Sequence, residues 1–142
     1  GPSGSHTIET IDAEGDVGQW PDLLIDSGNI HIAYHDISNQ DLKLASGAPG
    51  SWSSVAVDSG DYVGADTAIF VDPASGAPSV AYFDGRNNDM KLAWQSGAEW
   101  NLDTVVGSEG AMGFHNEVVT SGSATYAACY DYTNRKGWFS SL

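Results

Sequence analysis

Only one cysteine stands among the 142 residues, and only five Lys plus Arg face 19 Asp plus Glu. A lone Cys129 excludes an internal disulfide and a cysteine-built zinc cage. Set in Tyr126-Ala-Ala-Cys-Tyr130, it reads as a packed, inert thiol. The formal net charge of −14 argues against nucleic acid, whose affinity for proteins begins with Lys and Arg contacts to phosphate, and against an anionic membrane surface. No apolar run approaches the roughly 18 residues of a membrane-spanning helix. No stretch between the Gly, Pro, Asn and Asp clusters is long enough to hold a helical period. The nucleophile elbow Gly-x-Ser-x-Gly, the phosphate-binding loop and the zinc motif His-Glu-x-x-His are all missing.

What the chain has instead is glycine, 17 in all, 11% aromatic residues with five Trp, and 41% hydrophobic residues, enough for a core. It also repeats itself. Ile32-Ala-Tyr-His-Asp36 returns 48 residues later as Val80-Ala-Tyr-Phe-Asp84, and 47 further on as Ala127-Ala-Cys-Tyr-Asp131. Asp41-Leu-Lys-Leu-Ala45 returns as Asp89-Met-Lys-Leu-Ala93, Gly50-Ser-Trp52 as Ala98-Glu-Trp100, and Val17-Gly18 as Val63-Gly64 and Met112-Gly113. The third copy is worn, with Lys136-Gly-Trp-Phe-Ser140 where the Asp-Leu-Lys-Leu-Ala run belongs. Three units, at about 6–52, 53–100 and 101–142, make one domain over 6–142. The opening Gly-Pro-Ser-Gly-Ser at 1–5 reads as a protease-cleavage scar plus linker.

Each unit reads as four short strands. In the second they fall at 54–57, 67–71, 79–83 and 90–94, ended by Asp58-Ser-Gly-Asp61, Asp72-Pro-Ala-Ser-Gly76, Asp84-Gly-Arg-Asn-Asn88 and Ser96-Gly97. Four antiparallel strands per unit of this length is the arithmetic of a β-propeller blade. The expected class is therefore all-β, a propeller with three four-stranded blades per chain. Ala33, Ala81 and Ala128 would let neighbouring blades approach, with Tyr34, Tyr82, Cys129, Trp52 and Trp100 as packing between them. The set Asp-x-x-Gly, (Ile/Val)-Ala-Tyr-x-Asp, Asp-Leu-Lys-Leu-Ala and a closing Trp resembles the tandem blade repeats of bacterial secreted and surface β-propellers. The resemblance spans all three units and is strongest in the first two. It implies an extracellular or cell-surface setting and an adhesin- or lectin-like role. It brings no catalytic residue set, and the sialidase box Ser-x-Asp-x-Gly-x-x-Trp is absent.

With strands lettered A to D from the axis outward, the chain reads D-A-B-C three times. Thr7 to Ile11 matches the outer strand at Ser54 to Val57, and the last strand, Gly137 to Leu142, is of type C. The third blade thus lacks its outer strand, and the first strand lacks a blade. Closed propellers have roughly four to eight blades, and an open arc bares apolar faces at both ends. The expectation is closure by homo-oligomerisation. A six-bladed homodimer comes first, each N-terminal strand completing the other chain's third blade. A nine-bladed homotrimer, suited to a fibre tip, and a fragment of a longer propeller are the alternatives.

The D-to-A and B-to-C loops would share one propeller face, and they vary more than the strands, as binding loops on a fixed scaffold do. Trp20, Asp66 and His115 are equivalent positions before the inner strand, with Phe114 beside the last and Tyr62 inside its loop. His35 stands near the end of its second strand, and Arg86, Asn87, Asn134 and Arg135 lie in the B-to-C turns. Aromatic plates beside amides, carboxylates and guanidinium groups are the parts of a carbohydrate site. For the recurrent Asn and Asp, turn capping is the stronger reading. Asp12-x-Glu14-x-Asp16 raises calcium as a rival, although no Glu follows at the twelfth place. His31 and His35 are ruled out as a metal pair, because on a strand they stand about 13 Å apart. Near-equivalent sites suit multivalent binding better than catalysis, which needs one asymmetric pair of carboxylates. The expectation is a glycan- or surface-binding module, not an enzyme and without an obligatory cofactor. A calcium-stabilised protein-interaction module and a propeller glycoside hydrolase or lyase are the other readings.

Overall fold

The computed structural model describes residues 4, 6–107 and 110–142. Eleven strands form three antiparallel sheets, with no helix among the described residues. The first sheet runs β1 (Val17–Asp26), β2 (Asn29–Asp36), β3 (Asp41–Ala48), β4 (Ser51–Asp58) in chain order. The second runs β5 (Val63–Val71), β6 (Pro78–Asp84), β7 (Asp89–Ser96), β8 (Glu99–Val106), again each strand beside the next. The third has three strands, β9 (Phe114–Ser121), β10 (Ala124–Asp131) and β11 (Lys136–Ser141). Each outer strand is drawn from the start of the next sequence repeat, so repeats and sheets are out of phase by one strand.

The sheets stack face to face. Alternation within each strand sends one set of side chains to each side. Leu24, Ala33, Leu42, Leu44 and Val57 of the first sheet meet Val63, Ile69, Val80 and Tyr82 of the second. Ala68, Ala81, Met90 and Val106 of the second meet Val118, Ala127 and Cys129 across Met112. Ala33 and Ala81 are fully buried, and a larger side chain at either would push two sheets apart.

The equivalent tyrosines do more than pack. The Tyr82 hydroxyl donates to Asp58, at the end of β4, over 2.7 Å, and the Lys91 ammonium donates to the same oxygen over 2.6 Å. One sheet's outer strand is thereby pinned to the middle strands of the next. The set recurs at Asp12, which accepts from Tyr34 over 2.6 Å and from Lys43. In the third sheet all three polar members are replaced together. Ladder register puts Val106 at the Asp58 position, Cys129 at that of Tyr82 and Trp138 at that of Lys91. Val106 and Cys129 lie in one apolar cluster, so this junction is closed by burial instead of an ion pair. Burial raises the Cys129 thiol above its ordinary range, which keeps it protonated and unreactive.

The expected outer strand at Thr7 to Ile11 is not a strand within this chain. Residues 6–10 carry no regular structure, although the segment is held against the first sheet. Besides the Asp12 contacts, Glu9 accepts from the Gly50 amide and the Trp52 indole N–H over 2.8 and 2.9 Å. A strand needs a ladder partner, and among the described residues no strand of this chain pairs with the segment. Positions 1–3 and 5 of the expected scar lie outside the described residues, as do 108–109 in the third D-to-A loop.

Candidate functional site

In every repeat, the loop before the inner strand is tied to the turn between the middle strands. The amides of Ile37, Gly85 and Tyr132 donate to the carbonyls of Asp16, Tyr62 and Ala111 over 2.9, 2.7 and 2.9 Å. Both loop sets therefore occupy one face. The turns are built alike. Asn39, Asn87 and Asn134 each donate from backbone and side chain to the carboxylate of Asp36, Asp84 and Asp131, at 2.8 to 3.0 Å. Those bonds hold the Asp131 carboxyl below its usual range. At Asp36 burial pushes the other way, and the Asn39 bonds together with the Lys43 charge and the Ser38 amide outweigh it. The side-chain N–H groups of Asn87 and Asn134 are thus engaged inside their own turns.

The inner strands all break register at the same place. Between Gln19 and Asp22, between Ala65 and Ala68, and between Phe114 and Glu117, two residues are looped out of the ladder. In each pair the first residue is left-handed, with φ of 48° at Trp20, 49° at Asp66 and 52° at His115. A bulky residue there is strained, by about 1–3 kcal/mol, and bulges re-aim side chains beside functional sites. These three pairs, Trp20-Pro21, Asp66-Thr67 and His115-Asn116, are the whole lining of one shallow pocket of about 180 Å³.

The pocket is braced from beneath. The Thr67 hydroxyl donates to the Trp20 carbonyl, and the Asn116 amide donates to the Asp66 carbonyl over 2.8 Å. Trp20 is 46% exposed, and the His115 ring is open to solvent 3.7 Å from the largely buried Asp66 carboxylate. Buried His35 lies behind Trp20, ring centres 5.6 Å apart, and donates from Nδ1 to the Val63 carbonyl over 2.8 Å. Phe114 packs in tilted contact with Phe83 at 4.3 Å and with exposed Tyr132 at 5.7 Å, forming an aromatic rim beside His115. Tyr62 and Arg86 stand apart from the pocket. Both are exposed, and Arg86 pairs with Asp61 over 2.8 Å. Arg135 is exposed at the left-handed end of the third turn.

Of the residues read from sequence, then, the fold brings Trp20, Asp66 and His115 together. It sets His35 and Phe114 against them and leaves Tyr62, Arg86 and Arg135 on the surrounding surface. Pro21, Thr67 and Asn116 were missed. Each follows an equivalent position by one, but nothing in the strand pattern marks a two-residue bulge. For calcium, Asp12 is already committed to Tyr34, Lys43 and the Glu14 amide. Among the described residues no three His, Cys, Asp or Glu converge as a metal site.

No family model and no curated protein matches the chain. Solved structures share its fold. Among them is a fucose lectin from Kordia zhangzhouensis in complex with methyl-fucoside, similar at a TM-score of 0.56 and 13% identity, over 84% of this chain and 90% of that one. At this identity the likeness shows a common all-β, propeller-like architecture. The chain, with its three sheets, covers most of that lectin's length.

Proposed function

We propose that the protein is an extracellular, lectin-like module that seats one neutral sugar residue at the Trp20–Asp66–His115 pocket, and binds without catalysing. The convergence of three strained bulges on that pocket carries the reading. Strain of this kind survives only where the surrounding structure over-determines it, and it clusters at ligand clamps. Trp20 offers an apolar plate for the C–H face of a sugar ring, while Asp66 and His115 offer an acceptor and a donor for hydroxyls. The net charge of −14 repels anionic glycans and favours neutral ones. The fold shared with a lectin solved with methyl-fucoside supports the class of ligand. We further take the three sheets as blades of a β-propeller completed by association of copies, six blades for two chains or nine for three. Several equal pockets on one assembly would raise weak single-site affinity by avidity, the usual behaviour of an adhesin.

Calorimetric titration with methyl-fucoside and a panel of neutral monosaccharides tests the site. Trp20→Ala is expected to weaken binding at least about tenfold, the loss of one aromatic contact of about 1.4 kcal/mol. Asp26→Ala, at the opposite end of β1, leaves it unchanged. Equal affinity in both variants overturns the assignment.

A further inference from the structure

The two ends of the stack carry matching halves of a junction that the chain already makes twice. At each internal junction, an amide at or just before the start of an inner strand donates to the preceding sheet's middle turn: Val63 to the Gln40 carbonyl over 3.1 Å, and Met112 to the Asn88 carbonyl over 2.8 Å. The following glycine sits tight against that sheet. A Cβ on Gly64 would lie 2.7 Å from Leu42 Cα, and one on Gly113 would lie 3.0 Å from Met90 Cα. At the start of the first sheet Val17 and Gly18 occupy the same places, but Gly18 has nothing within 4 Å. At the far end Arg135 occupies the acceptor's place and shares its left-handed φ, 56° against 64° at Gln40 and 62° at Asn88. Apolar side chains follow suit. Leu23 is 56% exposed where its equivalent Ile69 is 8%, and Phe139 is 68% exposed where its equivalent Leu44 is 5%.

The segment 6–12 identifies what fits there. Asp12 grips Tyr34 and Lys43 as Asp58 grips Tyr82 and Lys91. Asp58 belongs to β4, which ladders onto β3, whereas 6–12 has no ladder among the described residues and Ile8 is 95% exposed. The third sheet has the opposite deficit, three strands with the outer edge of β11 unpaired among the described residues. Beside that edge lies a groove of about 360 Å³ between the second and third sheets, lined by Phe70, Leu92, Trp94 and Leu142. The buried Ser79 hydroxyl in its wall has no hydrogen-bond partner among the described residues. At the preceding junction Trp100, from the second sheet's outer strand, packs against the apolar cluster that holds the equivalent residue Leu44 and that Leu24 also joins. Among the described residues the third sheet has no outer strand to do this.

Resting on the ring reading above, we infer that residues 6–12 of one copy add to β11 of the next copy as its fourth strand, seating His6 and Ile8 over the Phe70–Trp94 groove. The register follows from the first sheet. Ala45 pairs with Ser54 and Leu44 with Val55, so Ser140 faces Ile8 and Phe139 faces Glu9. The Val17 amide then donates to the partner's Arg135 carbonyl, and Gly18 packs against the partner's Gly137. One strand thereby pairs with one copy through its backbone and is anchored in the other through Asp12.

The test is a cross-link in register. The double variant Ile8→Cys, Ser140→Cys, made with Cys129→Ser, is oxidised and run unreduced, and the unmodified chain is sedimented at micromolar concentration alongside Ile8→Asp. Directly paired residues are within disulfide reach. The expected result is an associated chain, covalent oligomers from the 8/140 pair and none from Glu9→Cys with Ser140→Cys, and at least tenfold weaker association for Ile8→Asp. Amide exchange over residues 7–11 of the unmodified protein gives an independent reading, slow if the ladder forms. An associated chain with fast exchange there and no cross-link overturns strand addition and leaves the ring standing. A chain that sediments as a monomer overturns both. Sugar affinity of the same samples, measured per chain, is separate, because the pocket lies within one copy.

Discussion

Removing the charge at Asp12 is the sharpest test of how the sheets are joined. Burial alone would raise that carboxyl, but hydrogen bonds from Lys43 and Tyr34 outweigh it and bring it from 3.8 to about 2. A group whose folded value lies below its unfolded one stabilises the fold above the unfolded value and loses that contribution as pH falls through the folded one. The Asp12 contribution is therefore complete above about pH 5, mostly lost by about pH 2 and gone near about pH 1. Its size, from the depression at about 1.4 kcal/mol per unit, is about 2 kcal/mol, and the carboxylate is only 5% exposed, so solvent screening takes little from it. Urea unfolding of the wild type and Asp12→Asn across pH 2–7 measures it directly. Asp72 and Asp131 are also depressed, but they titrate in both proteins and cancel in the difference; Asp36, 3.8 Å from the shared Lys43 ammonium, gains that ammonium in the variant, which narrows the gap. The wild type is expected to be the more stable by about 2 kcal/mol at pH 7, with the gap closing towards pH 2. A gap of the same size at both ends, or none at pH 7, refutes the argument that a charged Asp12 pins the segment to Tyr34 and Lys43.

Two further outcomes follow from packing. Gly64→Ala must hold a φ of 97° and place its Cβ 2.7 Å from Leu42 Cα, and is expected to lower stability by at least about 2 kcal/mol. Gly18→Ala carries a similar φ of 95° but meets nothing within 4 Å, so a separated chain should lose only the backbone strain, about 1–2 kcal/mol; thermal melts of the two variants compare them. Buried Cys129, its thiol pushed up by burial, is expected to resist a thiol reagent at pH 8 for as long as the chain stays folded and to react fully in denaturant. Fast labelling of the native protein would refute its place between the second and third sheets.

The sequence by itself determined the all-β class, the repeat, the turn chemistry and the equivalence of positions. These depend on local rules that every copy obeys. Alternating side chains mark strand faces, Asp-x-x-Asn closes a turn by its own hydrogen bonds, and glycine recurs where the chain must be left-handed. That equivalence also sufficed to align Trp20, Asp66 and His115. Their convergence on one pocket was decided by tertiary structure, because the bulges that turn them form only where an inner strand meets the next sheet, and strand periodicity carries no sign of it. Pro21, Thr67 and Asn116 were invisible for the same reason, as was the burial of His35 behind Trp20. The pinning of Tyr34 and Tyr82 left a trace, since Asp, Tyr and Lys vanish together from the third copy as Val106, Cys129 and Trp138. Recognising it required knowing that the Asp reaches across to the following sheet. Contacts between sheets join residues that no local period relates, and only the packed arrangement shows them.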